Sequence, residues 1–330
     1  MLRRFGSPEV LEFVDKPLPH LKDDEVLVRT RAVSINPIDF AMRSGTGYGY
    51  SVFKRLLPLI LGRDISGEVV AVGASVQSFT VGEEVFGALH PSVRRGTYTD
   101  YAIVSEFHLT QKPKSITHEE ASAIPFAALT AWRALKETAK IREGERVLVI
   151  GGGGAVGFAA IQLAVAHGCQ VVTFCSSQSI DRALAAGAEQ AVDYIAENIK
   201  LAIKGEFDAV LDTIGGLKTE RIGINFLKRG GHYVTLQADA RSTVFDILMV
   251  PGVSDLFGMK NFNYYCYYGI DYSYAFMESN CFGLEEIRDL SEAGRLYIPV
   301  DRTFPIAQVK EAHEAKEKRK ILGKVVLEFS

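Results

Sequence analysis

The sequence predicts an α/β protein in which a doubly wound parallel sheet is combined with a β-rich part. The chain has 330 residues, enough for two domains. The run from Val147 to Ile180 contains no Asp, Glu, Lys or Arg and has the pattern strand, glycine turn, helix, strand. Short apolar runs then alternate with helical segments as far as Leu236. Residues 1–120 consist of short β runs separated by Gly and Pro turns.

Charge and cysteine content exclude several classes of protein. The net charge is −3, and the basic run Lys316–Lys320 is typical of the solvated face of a helix, so we expect no nucleic-acid partner. The four cysteines have no C-x-x-C spacing, which argues against a zinc knuckle or a redox pair. The N-terminus lacks the apolar segment of a signal peptide.

The apolar segment that begins at Val147 raises the question of a membrane helix. Residues 147–166 are long enough to span a bilayer. However, four consecutive glycines stand inside this segment, and each costs a helix about 1 kcal/mol relative to Ala. Lipid offers no partners for the backbone groups that such a break would free. We therefore expect no transmembrane span and predict a βαβ unit.

The glycine turn of this unit matches a nucleotide-binding pattern. Gly152, Gly154 and Gly157 fit G-x-G-x-x-G between a strand end and a helix start. Bare backbone there lets a pyrophosphate approach the N–H groups and the positive helix N-terminus. Gly157 is expected to let the helix pack, and Gly151 to be the most replaceable of the four glycines. The predicted cofactor contacts are Gly153, Gly154, Ala155, Val156 and Gly157.

The end of the second strand predicts which dinucleotide binds. An NAD site typically has Asp or Glu there to hold the ribose 2′-hydroxyl, but this strand is followed by Ser176 and Ser177. The first acid is Asp181, already in the next helix and beside Arg182. Hydroxyl groups and a basic side chain suit a 2′-phosphate, so the pattern predicts NADPH over NADH. The two serines could also cap the following helix.

The remaining elements continue the alternation. After the two strands of the βαβ unit we predict a third, a fourth and a fifth strand, the last preceded by a helix end and a Gly-Gly turn. Gly215 and Leu236 lie at strand ends and are predicted cofactor contacts. The third and fourth strands are predicted at Ala191–Tyr194 and Phe207–Gly216, and Leu227–Leu236 is predicted to contain the helix end, the turn and the fifth strand. The C-terminal part adds a strand in Ala293–Pro305, an amphipathic helix over 306–320 and a final strand from Gly323.

Several segments, taken in order, resemble one known superfamily. They are SINPIDFAMRSG (34–45), LGRDISGEVVAVG (61–73), VGEEVFG (81–87), GTYTDYAIV (96–104), ALTAWRAL (128–135), the GGGGAVG turn and LGKVVLEF (322–329). Together they resemble the medium-chain dehydrogenase/reductase superfamily, in its quinone oxidoreductase branch. PLILGRDISG and the aromatic stretch Asn261–Phe276 further resemble the reticulon-interacting mitochondrial oxidoreductase group.

This resemblance implies an architecture and a setting. A GroES-like domain would cover residues 1–120, a Rossmann NADPH-binding domain 121–279, and residues 280–330 would return to the first domain. It also implies a homodimer and a mitochondrial location, with the cytoplasm as the alternative. Relatives usually have a full strand where only Met1 and Leu2 precede the segment RRFGSPEVLEF, so we expect a truncated N-terminus or a lost targeting segment.

The resemblance also indicates a reaction that needs no metal. Alcohol-oxidising relatives hold zinc with residues whose positions are occupied here by Asn36, Arg63 and a residue near Phe126. Without a Lewis acid, hydride transfer from NADPH to a quinone or a conjugated enone is the easier reaction. We therefore expect a small apolar quinone or enone as substrate. The alternatives are a 2-enoyl thioester reductase and a non-catalytic NADPH-binding partner or sensor protein.

The resemblance places candidate residues at the nicotinamide end of the cofactor. The expected catalytic residues are Asn36, Asp39 and Tyr48. Asp39 could instead be a buried acceptor for Arg43 or Arg63. Tyr48 or Tyr50 could donate a proton or stack on a ring, or their loop could be a surface lid.

The resemblance also implies roles for four more residues and for one stretch, and three of these five have an alternative interpretation. Thr130 would hold the carboxamide or cap a helix, and Tyr194 would pack at the adenosine phosphate. Gly323 and Lys324 would lie near the nicotinamide or the phosphates, unless Lys324 is a strand-edge charge. The aromatic stretch Asn261–Phe276 would be the edge strand of a homodimer or the wall of an apolar pocket.

Overall fold

The chain divides into two compact units. A computed structural model describes residues 1–46, 50–196, 199–237, 264–318 and 321–330. The first unit combines Met1–Leu129 with Glu278–Ser330, and the second is Thr130–Met277. The first unit extends beyond the expected boundary at residue 120 because helix α3 (His118–Ala123) packs on its strands and the N–H of Phe126 donates to Asp64.

The first unit is built on a seven-stranded sheet. Its strands are β1 (Glu25–Ser34), β2 (Asp64–Val72), β3 (Glu84–Ala88), β4 (Tyr101–Ser105), β5 (Leu109–Gln111), β12 (Val300–Pro305) and β13 (Lys324–Glu328). Their order is β12-β13-β1-β2-β3-β5, and β4 pairs with β1. β1 pairs antiparallel with β2, β4 and the C-terminal β13, so the end of the chain completes the sheet that its beginning starts.

Local sequence signals explain helix α1 (Pro37–Ser44), which follows β1. Asn36 is the N-cap, the Asp39 carboxylate accepts its backbone N–H, and Pro37 occupies the first position of the helix. Gly45 ends the helix in the left-handed conformation, with φ at 68°. The other helices of this unit are α2 (Tyr50–Leu56), the penultimate helix α9 (Cys281–Glu292) and the last helix α10 (Val309–Glu317).

The second unit is built on a six-stranded sheet in which every pairing is parallel. Its strands are β6 (Arg146–Ile150), β7 (Gln170–Cys175), β8 (Gln190–Asp193), β9 (Phe207–Asp212), β10 (Leu227–Thr235) and β11 (Asp271–Tyr274). Their order is β11-β10-β9-β6-β7-β8, the doubly wound arrangement that the sequence predicts. The buried core includes Leu148, Val172, Val210 and Tyr233.

The helices of the second unit connect these strands. A six-residue π-helical segment, Arg133–Thr138, continues α4 directly. The helices are α4 (Pro125–Trp132), which crosses the boundary, α5 (Ala155–Ala166), α6 (Ile180–Ala185), α7 (Ile199–Ala202) and α8 (Leu217–Phe226). In the parts of the chain that the structure describes, no helix combines the length and apolar character needed to cross a membrane.

Two segments differ from the sequence prediction. Residues 227–231, expected as a helix end and a turn, already belong to β10, and the pairing with β9 is irregular between Leu227 and His232. Gly230, with φ at 82°, supplies the left-handed backbone that such an irregularity needs. In the aromatic stretch, residues 264–268 are helical and only Asp271–Tyr274 form a strand, while 261–263 lie outside the described residues.

Candidate cofactor site and polar cluster

The glycine turn joins β6 to α5 through backbone geometry that depends on the absence of side chains. The N–H groups of Gly151 and Gly152 both donate to the carbonyl of Phe174, at 2.9 and 3.1 Å. Gly151 has φ at 94°, and a Cβ there would collide with Thr213 and Ile214. The expectation that Gly151 is the most replaceable of the four glycines is therefore wrong, because both its conformation and its neighbours exclude a side chain.

Two other glycines of the turn differ in what surrounds them. A Cβ on Gly157 would collide with the carbonyl oxygen of Gly151, so this glycine allows α5 to pack closely on the turn. Gly154, the N-cap of α5, has φ at −81° and no heavy atom closer than 3.6 Å to a Cβ built on it. The space over Gly154 is therefore open at a helix N-terminus, where an anionic group is favoured. These residues fit the pyrophosphate of a dinucleotide.

The turn after β7 contains two side chains that join neighbouring strands. Ser177 Oγ donates to Asp193 Oδ2, and the N–H of Ile195 donates to Asp193 Oδ1 at 2.9 Å. These bonds, that of Ser177 first, hold the pKa of the Asp193 carboxyl below its usual range. In the sequence, the first acid after the second strand is Asp181, and Asp193 lies twelve positions further on. The missed signal is the acid that ends the third strand, since parallel pairing aligns Cys175 with Asp193.

Arg182 lies on α6 and points toward the glycine turn. Its Nη2 donates to the carbonyl of Gly153 at 2.8 Å, and its guanidinium carbon lies 5.3 Å from the ring centre of Phe158. Its Nε is buried without a hydrogen-bond partner among the described residues. Ser176 precedes a 3-10 turn without a side-chain capping bond, and its Oγ lies 3.3 Å from Ser179 Oγ. The Arg182 guanidinium, with its Nε–H unpaired among the described residues, therefore lies beside the glycine turn.

The remaining predicted contacts of this unit follow the same edge of the sheet. The N–H of Tyr194 lies 3.4 Å from the carbonyl of Cys175. Asp212, at the end of β9, accepts the N–H of Gly215 at 2.9 Å, and its own carbonyl accepts the N–H of Leu236 at 3.1 Å. The carboxyl ends of the strands thus present the predicted residues together, as the doubly wound fold requires. This edge carries Gly153, Gly154, Ala155, Ser176, Ser177, Tyr194, Gly215 and Leu236.

The structure excludes one interpretation of Thr130 and shows what part of the aromatic stretch contacts. Thr130 is buried and lies inside α4, so the alternative that it caps a helix is wrong. In the aromatic stretch, the ring of Tyr272 stacks on Tyr233 of β10 at 5.1 Å and its hydroxyl donates to Glu220 at 2.9 Å. Part of this stretch is therefore core of the second unit, whereas Tyr267 is 83% exposed.

The first unit contains a buried polar cluster, which we define as Ser34, Asn36, Asp64 and Lys324. Lys324 Nζ lies 2.6 Å from Asn36 Oδ1 and 3.2 Å from Asp64 Oδ2. Asn36 Nδ2 donates to Asp64 Oδ2 at 2.7 Å, and Ser34 Oγ donates to the same oxygen. Lys324 is only 3% exposed, so its ammonium is committed to this cluster. The alternative of a solvated strand-edge charge is therefore wrong.

Asp39 lies next to the polar cluster in the chain but has its own environment. Its carboxylate accepts the N–H of Asn36 at 2.9 Å and that of Gly62 at 3.0 Å, as a structural acceptor would. Burial raises the pKa of Asp39 to about 6, and the nearby Arg63 opposes this shift. Burial likewise lowers the pKa of Arg63 to about 10. Arg43 pairs with Glu317 instead.

Two further predicted residues are Gly323 and Tyr48. Gly323 donates its N–H to Asp301 at 2.8 Å and accepts a hydrogen bond from Lys316. Tyr48 lies outside the described residues, so its expected role stays a prediction. Among the residues that the structure does describe, no three His, Cys, Asp or Glu side chains form a group suited to a metal ion.

Two family models match the chain. The alcohol dehydrogenase GroES-like domain matches residues 22–114, and the zinc-binding dehydrogenase domain matches residues 186–327. The mitochondrial NAD(P)H oxidoreductase RTN4IP1 of Bos taurus is 34% identical over 353 aligned positions, covering 99% of this chain and 88% of that protein. The 2-methylene-furan-3-one reductase of Solanum lycopersicum is 34% identical over 241 positions, covering 70% and 60% respectively.

Solved structures share the whole architecture. A quinone oxidoreductase from Coxiella burnetii superposes with a TM-score of 0.84 at 30% identity, covering 100% of this chain and 98% of that one. The Escherichia coli quinone oxidoreductase complexed with NADPH has a TM-score of 0.79 at 25% identity, covering 99% and 98%. The fold and the glycine turn, with these comparisons, define an oxidoreductase that uses NAD(P)H. The chain belongs to the medium-chain dehydrogenase/reductase superfamily, in its quinone oxidoreductase branch.

Proposed function

We propose that this protein transfers hydride from NADPH to a small apolar quinone or conjugated enone without using a metal ion. The observation that carries the proposal is the turn Gly151–Gly154, whose open space over Gly154 faces the N-terminus of α5. The proposal draws further support from relatives named as quinone oxidoreductase and 2-methylene-furan-3-one reductase. NADPH is the first donor to test because β7 ends without an acid and Arg182 stands beside the turn.

The donor set of the polar cluster supports chemistry without a metal. Asn36, Asp64 and Lys324 offer an amide, a carboxylate and an ammonium, whereas zinc favours thiolate and imidazole ligands. The ammonium already compensates the charge of Asp64. Reduction of a quinone or an enone spreads negative charge onto an oxygen away from the carbon or oxygen that receives hydride. Such a reaction needs positioning and hydrogen-bond donors more than a Lewis acid.

Each unit contributes separate tasks to this proposal. When bound, the nicotinamide supplies the hydride. In the second unit the glycine turn and the N-terminus of α5 would hold the pyrophosphate, while Thr130 would hold the carboxamide. In the first unit Lys324 and Asp64 fix the amide of Asn36 in one orientation. We propose Asn36, Asp39 and Tyr48 as the residues at the reacting end.

A pair of variants tests the cofactor turn. Gly154→Val places a branched side chain in the open space, where its Cβ has no neighbour closer than 3.6 Å, so the fold should persist while NADPH affinity falls by at least about 100-fold. Ala166→Val adds bulk at the opposite end of α5 and should leave affinity unchanged. Fluorescence titration with NADPH measures both. Wild-type affinity in Gly154→Val, with an unchanged circular dichroism spectrum, would refute the proposed pyrophosphate site at the glycine turn.

An acceptor panel tests the reaction. NADPH oxidation is followed with quinones, enones and enoyl thioesters, and we expect turnover with the first two classes. Turnover restricted to enoyl thioesters would make the protein a 2-enoyl thioester reductase. Tight binding of NADPH without turnover of any acceptor would favour a binding or sensor protein.

Assembly and location are part of the same proposal. We propose a homodimer formed through β11, which ends the six-stranded sheet, and a mitochondrial location, because relatives such as RTN4IP1 are named as mitochondrial. Light scattering on the purified protein and imaging of the expressed full-length gene product test these two points. A monomer at micromolar concentration would contradict the dimer.

A further inference from the structure

We infer that Asp193, bonded to Ser177, opposes the binding of a 2′-phosphate and thereby brings the affinities for NADH and NADPH close together. This inference rests on the proposed function to the extent that a dinucleotide binds at the glycine turn. It opposes the preference for NADPH that the sequence predicts, and it assigns a role to a residue that the motif does not contain. The two opposing determinants are Asp193 and Arg182.

Strand pairing positions Asp193 beside the serines that follow β7. β7 and β8 run parallel, and Cys175, the last residue of β7, is aligned with Asp193, the last residue of β8. The serines that follow β7 are therefore next to an acid supplied by the neighbouring strand, and Ser177 reaches it directly. An acid in this region is the feature that a site for the ribose 2′-hydroxyl typically has. Here a different strand supplies it.

The hydrogen bond between Ser177 and Asp193 has only one possible direction. A carboxylate can only accept, and a serine hydroxyl has one proton to donate. Because Ser177 donates that proton to Asp193, its oxygen can offer only lone pairs to a further partner. A ribose 2′-hydroxyl can donate to such an oxygen, whereas a 2′-phosphate offers only acceptors and finds no donor. Ser177 therefore discriminates against the phosphate that the sequence alone assigns to it.

Two charged side chains, Asp193 and Arg182, act on a 2′-phosphate bound at Ser177. Backbone and hydroxyl donors keep the Asp193 carboxyl ionised at neutral pH, so its negative charge repels a 2′-phosphate bound at Ser177. Arg182 is the opposing cation, but its Nη2 is already engaged by the carbonyl of Gly153. The attraction of a 2′-phosphate by Arg182 and its repulsion by Asp193 therefore oppose each other. We therefore expect wild-type affinities for NADH and NADPH within about tenfold of each other.

Isosteric variants isolate this pair. Asp193→Asn keeps the side-chain shape and an oxygen for the N–H of Ile195, and it removes the charge that orients Ser177. The ratio of the Kd for NADPH to the Kd for NADH should fall by about tenfold. Ser177→Ala removes the acceptor but leaves the charge, so a smaller fall of about threefold is expected. In the Ser177→Ala background, Asp193→Asn should have a smaller effect than alone, because the serine can no longer reverse its bond.

The matched control is Asp181→Asn. Asp181 is an exposed acid in the first turn of α6, so its substitution changes net charge equally near the same strand end. Its Kd ratio should equal that of the wild type. The readout is coenzyme fluorescence titration at fixed salt, with competition by adenosine 2′,5′-bisphosphate and by 5′-AMP as probes of the adenosine end alone.

The outcomes separate this inference from the proposed function. If both coenzymes bind and Asp193→Asn leaves the Kd ratio within about twofold of the wild type, the inference fails and the proposed function stands. The same conclusion follows if Asp181→Asn shifts the ratio as much as Asp193→Asn does, because the effect is then unspecific charge. If neither coenzyme nor either adenosine probe binds the wild type, both proposals fail.

Discussion

The glycine turn and the buried polar cluster position chemical groups in opposite ways. In the turn, backbone N–H groups and open space form the site, and its glycines follow one another along the chain. In the polar cluster, side chains form the site, and Lys324 contacts Asp64 although 260 positions separate them in the sequence. A site made of backbone depends on what is absent from each residue. A site made of buried charges depends on every partner being present.

The largest effect should come from breaking the cluster. Lys324→Met removes the ammonium and leaves the buried Asp64 carboxylate with neutral donors only, so the free energy of unfolding should fall by about 3–5 kcal/mol. Lys310→Met, which removes an ammonium from an exposed pair with Glu9, should lower it by no more than about 1 kcal/mol. Urea unfolding of both variants is the measurement. Adding Asp64→Asn to Lys324→Met should recover part of the loss, and equal losses in the two lysine variants would contradict the argument.

A second prediction concerns Asp39 and pH. Burial raises the pKa of this carboxyl in the folded chain to about 6, above the value of about 4 in an unfolded chain. Its protonated form therefore stabilises the fold below pH 4, and this contribution is lost as the pH rises through 6. Its size is about 3 kcal/mol.

Comparison with Asp39→Asn isolates this contribution from other titrating groups. The difference in unfolding free energy between the wild type and the variant should fall as the pH rises from 4 to 7. Lys310→Met again serves as a variant without this dependence. A constant difference over that range would show that Arg63 and the two backbone donors fully compensate the burial of the carboxylate.

The two regions also differ in how far sequence predicts them. The parallel sheet and the role of Gly157 were predictable because buried parallel strands are continuously apolar and the motif is local. The conformation of Gly151 was not, because four glycines in a row give no sign of which one takes φ at 94°. Asp193 and the polar cluster were missed or misassigned because strand pairing, and not spacing, brings their members together. Tyr48 stays a prediction.

The smallest expected effect distinguishes two roles within the turn. Gly157→Ala places a methyl group against the carbonyl of Gly151, so α5 must move and unfolding free energy should fall by about 1–3 kcal/mol. Gly154→Ala meets nothing within 3.6 Å and should leave stability within about 0.5 kcal/mol. Coenzyme affinity should weaken in both, in the first because the turn shifts and in the second because the methyl group occupies the approach. Thermal unfolding without coenzyme separates the two causes, because it responds to packing alone. If Gly154→Ala destabilised the chain as much as Gly157→Ala, the open space over Gly154 would have to be a packing requirement of the fold, and the distinction between a structural and a ligand-facing glycine would fail.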